Sequence, residues 1–166
     1  MTIKDLTVNI NHLSETDFLS DWRWLIGAER LPVLVTIAGD VFLQDKGTGA
    51  VDFLDTVEGK VCEVAKSDSE FESLLNEQAF VVEHFSVRLV APLLQEGDRP
   101  AAGQVFSFKK LPVLGGEYDR SNLEVTDISV HFSIAGQIWE QVSQLPEGTR
   151  IDSVNFDCPP GKRTKQ

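Results

Sequence analysis

Residues 31–65 constrain this chain more than any other stretch. Four short apolar runs follow one another there: Val33-Leu34-Val35-Thr36-Ile37-Ala38, Val41-Phe42-Leu43-Gln44, Val51-Asp52-Phe53-Leu54 and Lys60-Val61-Cys62-Glu63-Val64-Ala65. Gly39-Asp40, Asp45-Lys46-Gly47-Thr48-Gly49 and Asp55-Thr56-Val57-Glu58-Gly59 separate them. Short runs of Val, Ile, Leu and Phe punctuated by Gly and Asp predict an antiparallel meander of hairpins. Gly47 and Gly49 lack the Lys-Ser/Thr ending and the following helix of a phosphate loop, so they are turn glycines.

The flanking segments have helical spacing. Ser14 is a candidate N-cap with Asp17 three residues on, and Phe18, Trp22, Leu25 and Ile26 fall on one face up to Gly27. Trp22 and Trp24 lie two apart and cannot share a helix face, so Trp22 is assigned to the core. Ser67 and Glu70 form a capping box ahead of Phe71, Leu74 and Leu75. A second helix is predicted from about Gln78 through Leu94, with Pro92 disturbing its C-terminal end. Gln104 to Lys109 reads as a strand, and Leu123-Glu124-Val125 as another. Pro112-Val113-Leu114-Gly115-Gly116-Glu117-Tyr118 makes a corner between them. The best helix runs from about Asp127 to Gln144, with Ile128, Phe132, Ala135, Ile138 and Val142 at spacings of three and four. The expected fold class is α+β, an antiparallel meander sheet covered by helices. Its expected parts are an N-terminal strand and helix packing on the core (1–30), a core domain (31–145) and a partly flexible C-terminal extension (146–166).

Composition narrows the function by exclusion. Apolar residues make up 42% and charged residues 25%, as in ordinary soluble domains. No run of about 18 apolar residues exists, so no membrane span is expected. Polar residues follow the N-terminal Met1-Thr2-Ile3-Lys4-Asp5, unlike a secretory signal, which favours the cytoplasm. Cys62 and Cys158 lie far apart; one disulfide and two free thiols are both open, and a reducing cytoplasm favours the thiols. The net charge of −11 argues against direct nucleic-acid binding, which needs clustered Lys and Arg. Residues 1–100 carry 18 acids against 8 bases, whereas residues 101–166 are nearly balanced, with 8 against 7. An acidic face of this kind either keeps the chain soluble or steers a basic partner.

No catalytic motif stands out. His12, His84 and His131 come from separate segments, outside HExxH or zinc spacing, and there is no GxSxG elbow. Asp40, Asp45, Asp52, Asp55, Glu58 and Glu63 fall in turns or on polar sides of strands, where solvent or a partner meets them. Neither a metal nor a cofactor is expected. Two readings stay open beside binding of a specific partner: a general protein-interaction domain, and a hydrolase using the meander carboxylates.

Five blocks together resemble one family: Gly39-Asp40-Val41-Phe42-Leu43, Val51-Asp52-Phe53-Leu54-Asp55, Phe106-Ser107-Phe108-Lys109, Pro112 through Tyr118 and Asn122-Leu123-Glu124-Val125. The sequence is similar over roughly residues 31–145 to the C-terminal domain of immunity proteins that neutralise type VI secretion DNase effectors, within the SUKH superfamily. Many relatives carry a further domain ahead of this one; only about 30 residues precede Pro32, so the core domain alone is expected here. The resemblance implies a non-catalytic protein that binds a cognate toxin, expected to be basic, in the cytoplasm and blocks it. Charge and expected exposure make Asp45, Asp52, Asp55, Glu58, Glu63, Glu117 and Tyr118 the candidate contacts. An exposed sheet edge or apolar helix face would also allow a homodimer.

Overall fold

The computed structural model describes residues 1–13 and 17–156. The expected meander forms as a five-stranded antiparallel sheet in sequence order: β1 (Thr7–Val8), β2 (Arg30–Thr36), β3 (Val41–Asp45), β4 (Val51–Asp55) and β5 (Lys60–Ala65). Phe42 pairs with Phe53 and Phe53 with Cys62, while Leu43 pairs with Asp52 and Asp52 with Glu63. Because side chains alternate along a strand, these two rows face opposite sides of the sheet.

Helices cover both faces. On one side lies α5 (Ile128–Ser143) with the short N-terminal helix α1 (Arg23–Ile26). Here Trp22, Ile26, Phe132 and Ile138 pack with Val35, Val41, Leu43 and Leu54. On the other side α2 (Asp68–Leu74), α3 (Gln78–His84) and α4 (Val87–Gln95) present Phe71, Phe80, Phe85 and Val90 to Phe42, Val51 and Phe53. Double coverage explains why Val41, Phe42 and Leu43 are all buried although they are consecutive. A two-stranded ribbon, β6 (Gln104–Phe108) and β7 (Leu123–Asp127), closes one end. It is tied to the main sheet by the Phe106 N–H donating to the Ile37 carbonyl at 2.8 Å.

Local chemistry fixes the helix ends. Ser67 Oγ accepts from the Glu70 N–H, while the Glu70 carboxylate reaches back to the Lys66 N–H at 2.7 Å. That is the expected capping box, displaced by one residue at its return bond. The helix expected from Gln78 through Leu94 is broken into α3 and α4. Ser86, at φ 49°, turns the chain left-handed between them. The break lets Phe80, Phe85 and Val90 all reach the sheet. Pro92 sits inside α4 without ending it. The N-terminal helix starts later than its apolar spacing suggests: Ser20–Trp22 is a 3-10 turn leading into α1, and Gly27 ends it at φ 73°. The predicted cap Ser14 lies outside the described residues, as does Cys158. Trp22 is fully buried and donates from Nε1 to the Phe132 carbonyl at 2.9 Å. Although two residues apart, Trp22 and Trp24 stack with ring centroids 6.2 Å apart. The tight 3-10 entry and the size of the indoles overcome the spacing argument.

The Gly-Gly corner is required by its geometry. Gly115 has φ 90°, and a Cβ on Gly116 would lie 1.8 Å from the Lys110 carbonyl oxygen. Asn122 stitches the corner, donating from Nδ2 to the carbonyls of Lys110 and Glu117 and accepting from the Lys110 N–H.

Candidate partner-binding surface

The sequence-named acids divide according to what the backbone asks of them. Asp45 closes the β3–β4 turn, accepting from the N–H groups of Gly47 and Thr48 at 2.7 and 3.0 Å. Those N–H bonds hold its carboxyl below the usual range, the Thr48 bond most. Asp55 does the same for the β4–β5 turn, accepting from Val57 and Glu58, both at 2.9 Å. Glu58 and Glu63 are exposed.

Asp52 departs from the expectation of exposure. Its side chain is 7% accessible and ion-paired with Arg30. The physical reason is the double cover of the sheet: Asp52 points to the same side as Leu43 and Leu54, beneath α1 and α5. A carboxylate there needs a cation, and Arg30, anchored on the Ile26 carbonyl at 2.8 Å, supplies one. Asp40 is also buried, against the expectation of a solvated turn acid.

Glu117 and Tyr118 stand on the corner between β6 and β7. Both are exposed, and the Tyr118 ring lies 5.4 Å from that of Phe108. Their neighbour Arg120 pairs with Glu96 at 2.6 Å.

β5 is a terminal strand, bonded to β4 on one side only. An open groove of about 520 Å³ runs beside it, lined by Asp55, Glu58, Lys60, Cys62, Glu83 and His84 among others. Asp55 and Glu58, named from sequence, meet there; Glu63 lies on β5 itself; Asp45, Asp52, Glu117 and Tyr118 are not among the lining residues. Glu83 was missed because the sequence places it on a helix far from the meander. The fold brings α3 against β4, the neighbour of β5, through the Phe53–His84 ring contact at 4.9 Å, so that Glu83 and His84 line the groove together with Lys60 and Cys62. The Cys62 thiol is pushed up by burial, and then by the carboxylates of Asp52, Asp55 and Glu83. Among its charged lining residues, the carboxylates Asp55, Glu58 and Glu83 outnumber Lys60.

A second polar cluster is internal. His131 on α5 donates from Nε2 to the Gly39 carbonyl at 2.7 Å, and its Nδ1 accepts from the Ser107 hydroxyl at 2.7 Å. Asp40 Oδ1 accepts from the Thr56 N–H at 2.8 Å and lies 3.0 Å from the Thr56 hydroxyl. A Ser–His pair at this distance invites comparison with a nucleophile and its base. The other ring nitrogen, however, rests on a backbone carbonyl and not on a carboxylate, as a triad requires. Burial lowers the His131 pKa to about 4. It raises that of Asp40 to about 8, with the Asp55 charge adding to the rise. The cluster joins the β2–β3 turn, the β4–β5 turn, β6 and α5, which is a structural role. Among the described residues, no group of three His, Cys, Asp or Glu side chains is placed to hold a metal ion. No helix among them is long and apolar enough to cross a membrane.

Comparison with known proteins bears out the resemblance over part of the chain. Residues 65–139 match the model of the type VI secretion immunity protein Tdi1, C-terminal, somewhat under half of the sequence. The meander blocks at Gly39–Leu43 and Val51–Asp55 precede that match, and the corner blocks fall inside it. Among solved structures, the fold is similar to Atu4351 from Agrobacterium tumefaciens, with a TM-score of 0.55 and 16% identity. The similarity covers 72% of this chain and 62% of that one, so this chain spans less than two thirds of it. No curated protein matches.

Proposed function

We propose that this chain is a non-catalytic immunity protein of a type VI secretion system, which acts in the cytoplasm by binding a cognate toxin. The observation that carries the reading is the match of residues 65–139 to the C-terminal domain of Tdi1. The charge distribution supports it. A toxin that acts on nucleic acid has a basic surface to grip phosphate, and an acidic protein occupies such a surface by complementarity. Residues 1–100 hold 18 of the 26 acids of this chain. A nuclease is accordingly the toxin class this charge fits best.

Co-expression tests the proposal. The chain should restore growth to cells expressing one of the toxins encoded beside its gene, and the purified pair should bind with an affinity that falls as salt rises. Failure to rescue growth against every neighbouring toxin would sink the immunity reading.

A further inference from the structure

We infer that the free edge of β5 is a docking site for an extended basic segment of a partner protein, which adds to the sheet as a sixth strand. This rests on the reading above that the chain binds a basic protein.

The unpaired edge carries the inference. On a terminal antiparallel strand, every second residue turns its N–H and C=O outward with no partner in the sheet. Among the described residues, no turn, loop or side chain bonds to Lys60–Ala65 from that side. Folded proteins usually blunt such an edge with proline, a bulge or a covering element. Here the irregularity in pairing is confined to the far end, opposite the Val51–Asp52 step. Lys60 through Glu63 form a regular run without proline, and Lys60, Cys62 and Glu63 are exposed. By contrast, β1 covers β2 at Val35 and Thr36, and the uncovered half of β2 contains Pro32 and a register shift at its next residue.

Charge selects the occupant. Asp55, Glu58 and Glu83 flank the groove beside this edge and Glu63 projects from it, against Lys60 alone. A second copy of this chain would bring the same acids against themselves. An incoming strand with Lys or Arg at alternate positions would place cations on the groove face, toward Asp55 and Glu83, while its backbone pairs with β5; Glu63 lies on the opposite face. Main-chain pairing would supply affinity and the alternate side chains specificity, as in other strand-addition complexes.

The probe is an eight-residue peptide alternating Lys and Val, titrated into the full chain by NMR and fluorescence anisotropy. Amide shifts should be confined to Lys60–Val64 and the neighbourhood of Glu83. N-methylation of alternate peptide nitrogens, which keeps the charge and removes the pairing, should weaken binding at least tenfold. The exposed-site double variant Glu58→Lys, Glu83→Lys should weaken it similarly. Equal binding by the N-methylated peptide, shifts elsewhere, absence of binding, or a β5-mediated dimer of the chain in solution would each overturn the inference. None of these would touch growth rescue by the intact chain, so the toxin-binding reading stands or falls separately.

Discussion

Replacing His131 by Gln tests the internal polar cluster through its pH dependence. In the folded protein His131 is held neutral, with its pKa lowered from 6.5 to about 4 by burial. The unfolded chain takes up the proton below about pH 6.5. The histidine's contribution is therefore intact above that pH and is lost as the pH falls toward 4. At about 1.4 kcal/mol per pKa unit the full depression is worth roughly 3 kcal/mol, of which about 2 is gone by pH 5. Asp40 works in the opposite sense. Its pKa is raised from 3.8 to about 8, so its contribution is present at low pH and is lost as the pH rises toward 8. The two slopes overlap between about pH 4 and 6.5, so stabilities at pH 5 and pH 7.5 separate them only through a comparison of variants. Urea unfolding at both pH values should show His131→Gln losing about 2 kcal/mol less than the parent on acidification. Asp40→Asn should lose more than the parent. Proton NMR of the unmodified protein gives an independent reading: the His131 ring should not titrate above pH 5. Parallel stability profiles for parent and His131→Gln, or a ring that titrates near 6.5, would refute the assignment of a neutral, buried imidazole.

Three further outcomes follow from the packing. Gly116→Ala should cost roughly 3 kcal/mol, because its Cβ would overlap the Lys110 carbonyl, and Gly115→Ala only about 1–2, because it adds left-handed strain without a clash; urea midpoints should rank them so. Asp52→Asn should lower stability by about 1–2 kcal/mol by uncoupling Arg30, a value discounted because Arg30 is 32% accessible. The same variant should leave growth rescue intact in cells where the protein still folds, since Asp52 is buried; loss of rescue at full stability would place Asp52 at the interface after all.

Much of the fold was legible because its signals are local. The four strand runs of the meander, the Ser67 cap and the span of α5 can be read from alternation, turn residues and periodicity, and each agrees with the structure within three residues, the start of β2 being the furthest off. The misses have tertiary causes. The break at Ser86 replaces a continuous helical period because three aromatic and aliphatic side chains must reach one sheet face. Asp52 looks solvated in an alternating strand, and becomes buried only because α1 and α5 cover a face that alternation marks as polar. Glu83 joins the β5 groove through a chain reversal that no spacing rule encodes. His131 gave one usable sign, its place one residue from the core position Phe132, but its partners Gly39 and Ser107 come from distant turns and strands.

Burial of Asp40, Asp52 and His131 sharpens what remains of the acidic character. Acids committed to the fold cannot also greet a partner; among those left at the surface, Glu58, Glu63, Glu83 and the half-exposed Asp55 gather about β5. These converge on a strand whose outer edge is unpaired over a regular run. Lys60 and Glu63 on that strand are also what guards an open edge against indiscriminate pairing. The same side chains that oppose edge-to-edge pairing of two copies therefore favour a strand of opposite charge. Discrimination of this kind needs no enzyme-like pocket, and it suits the proposed role of holding one basic partner.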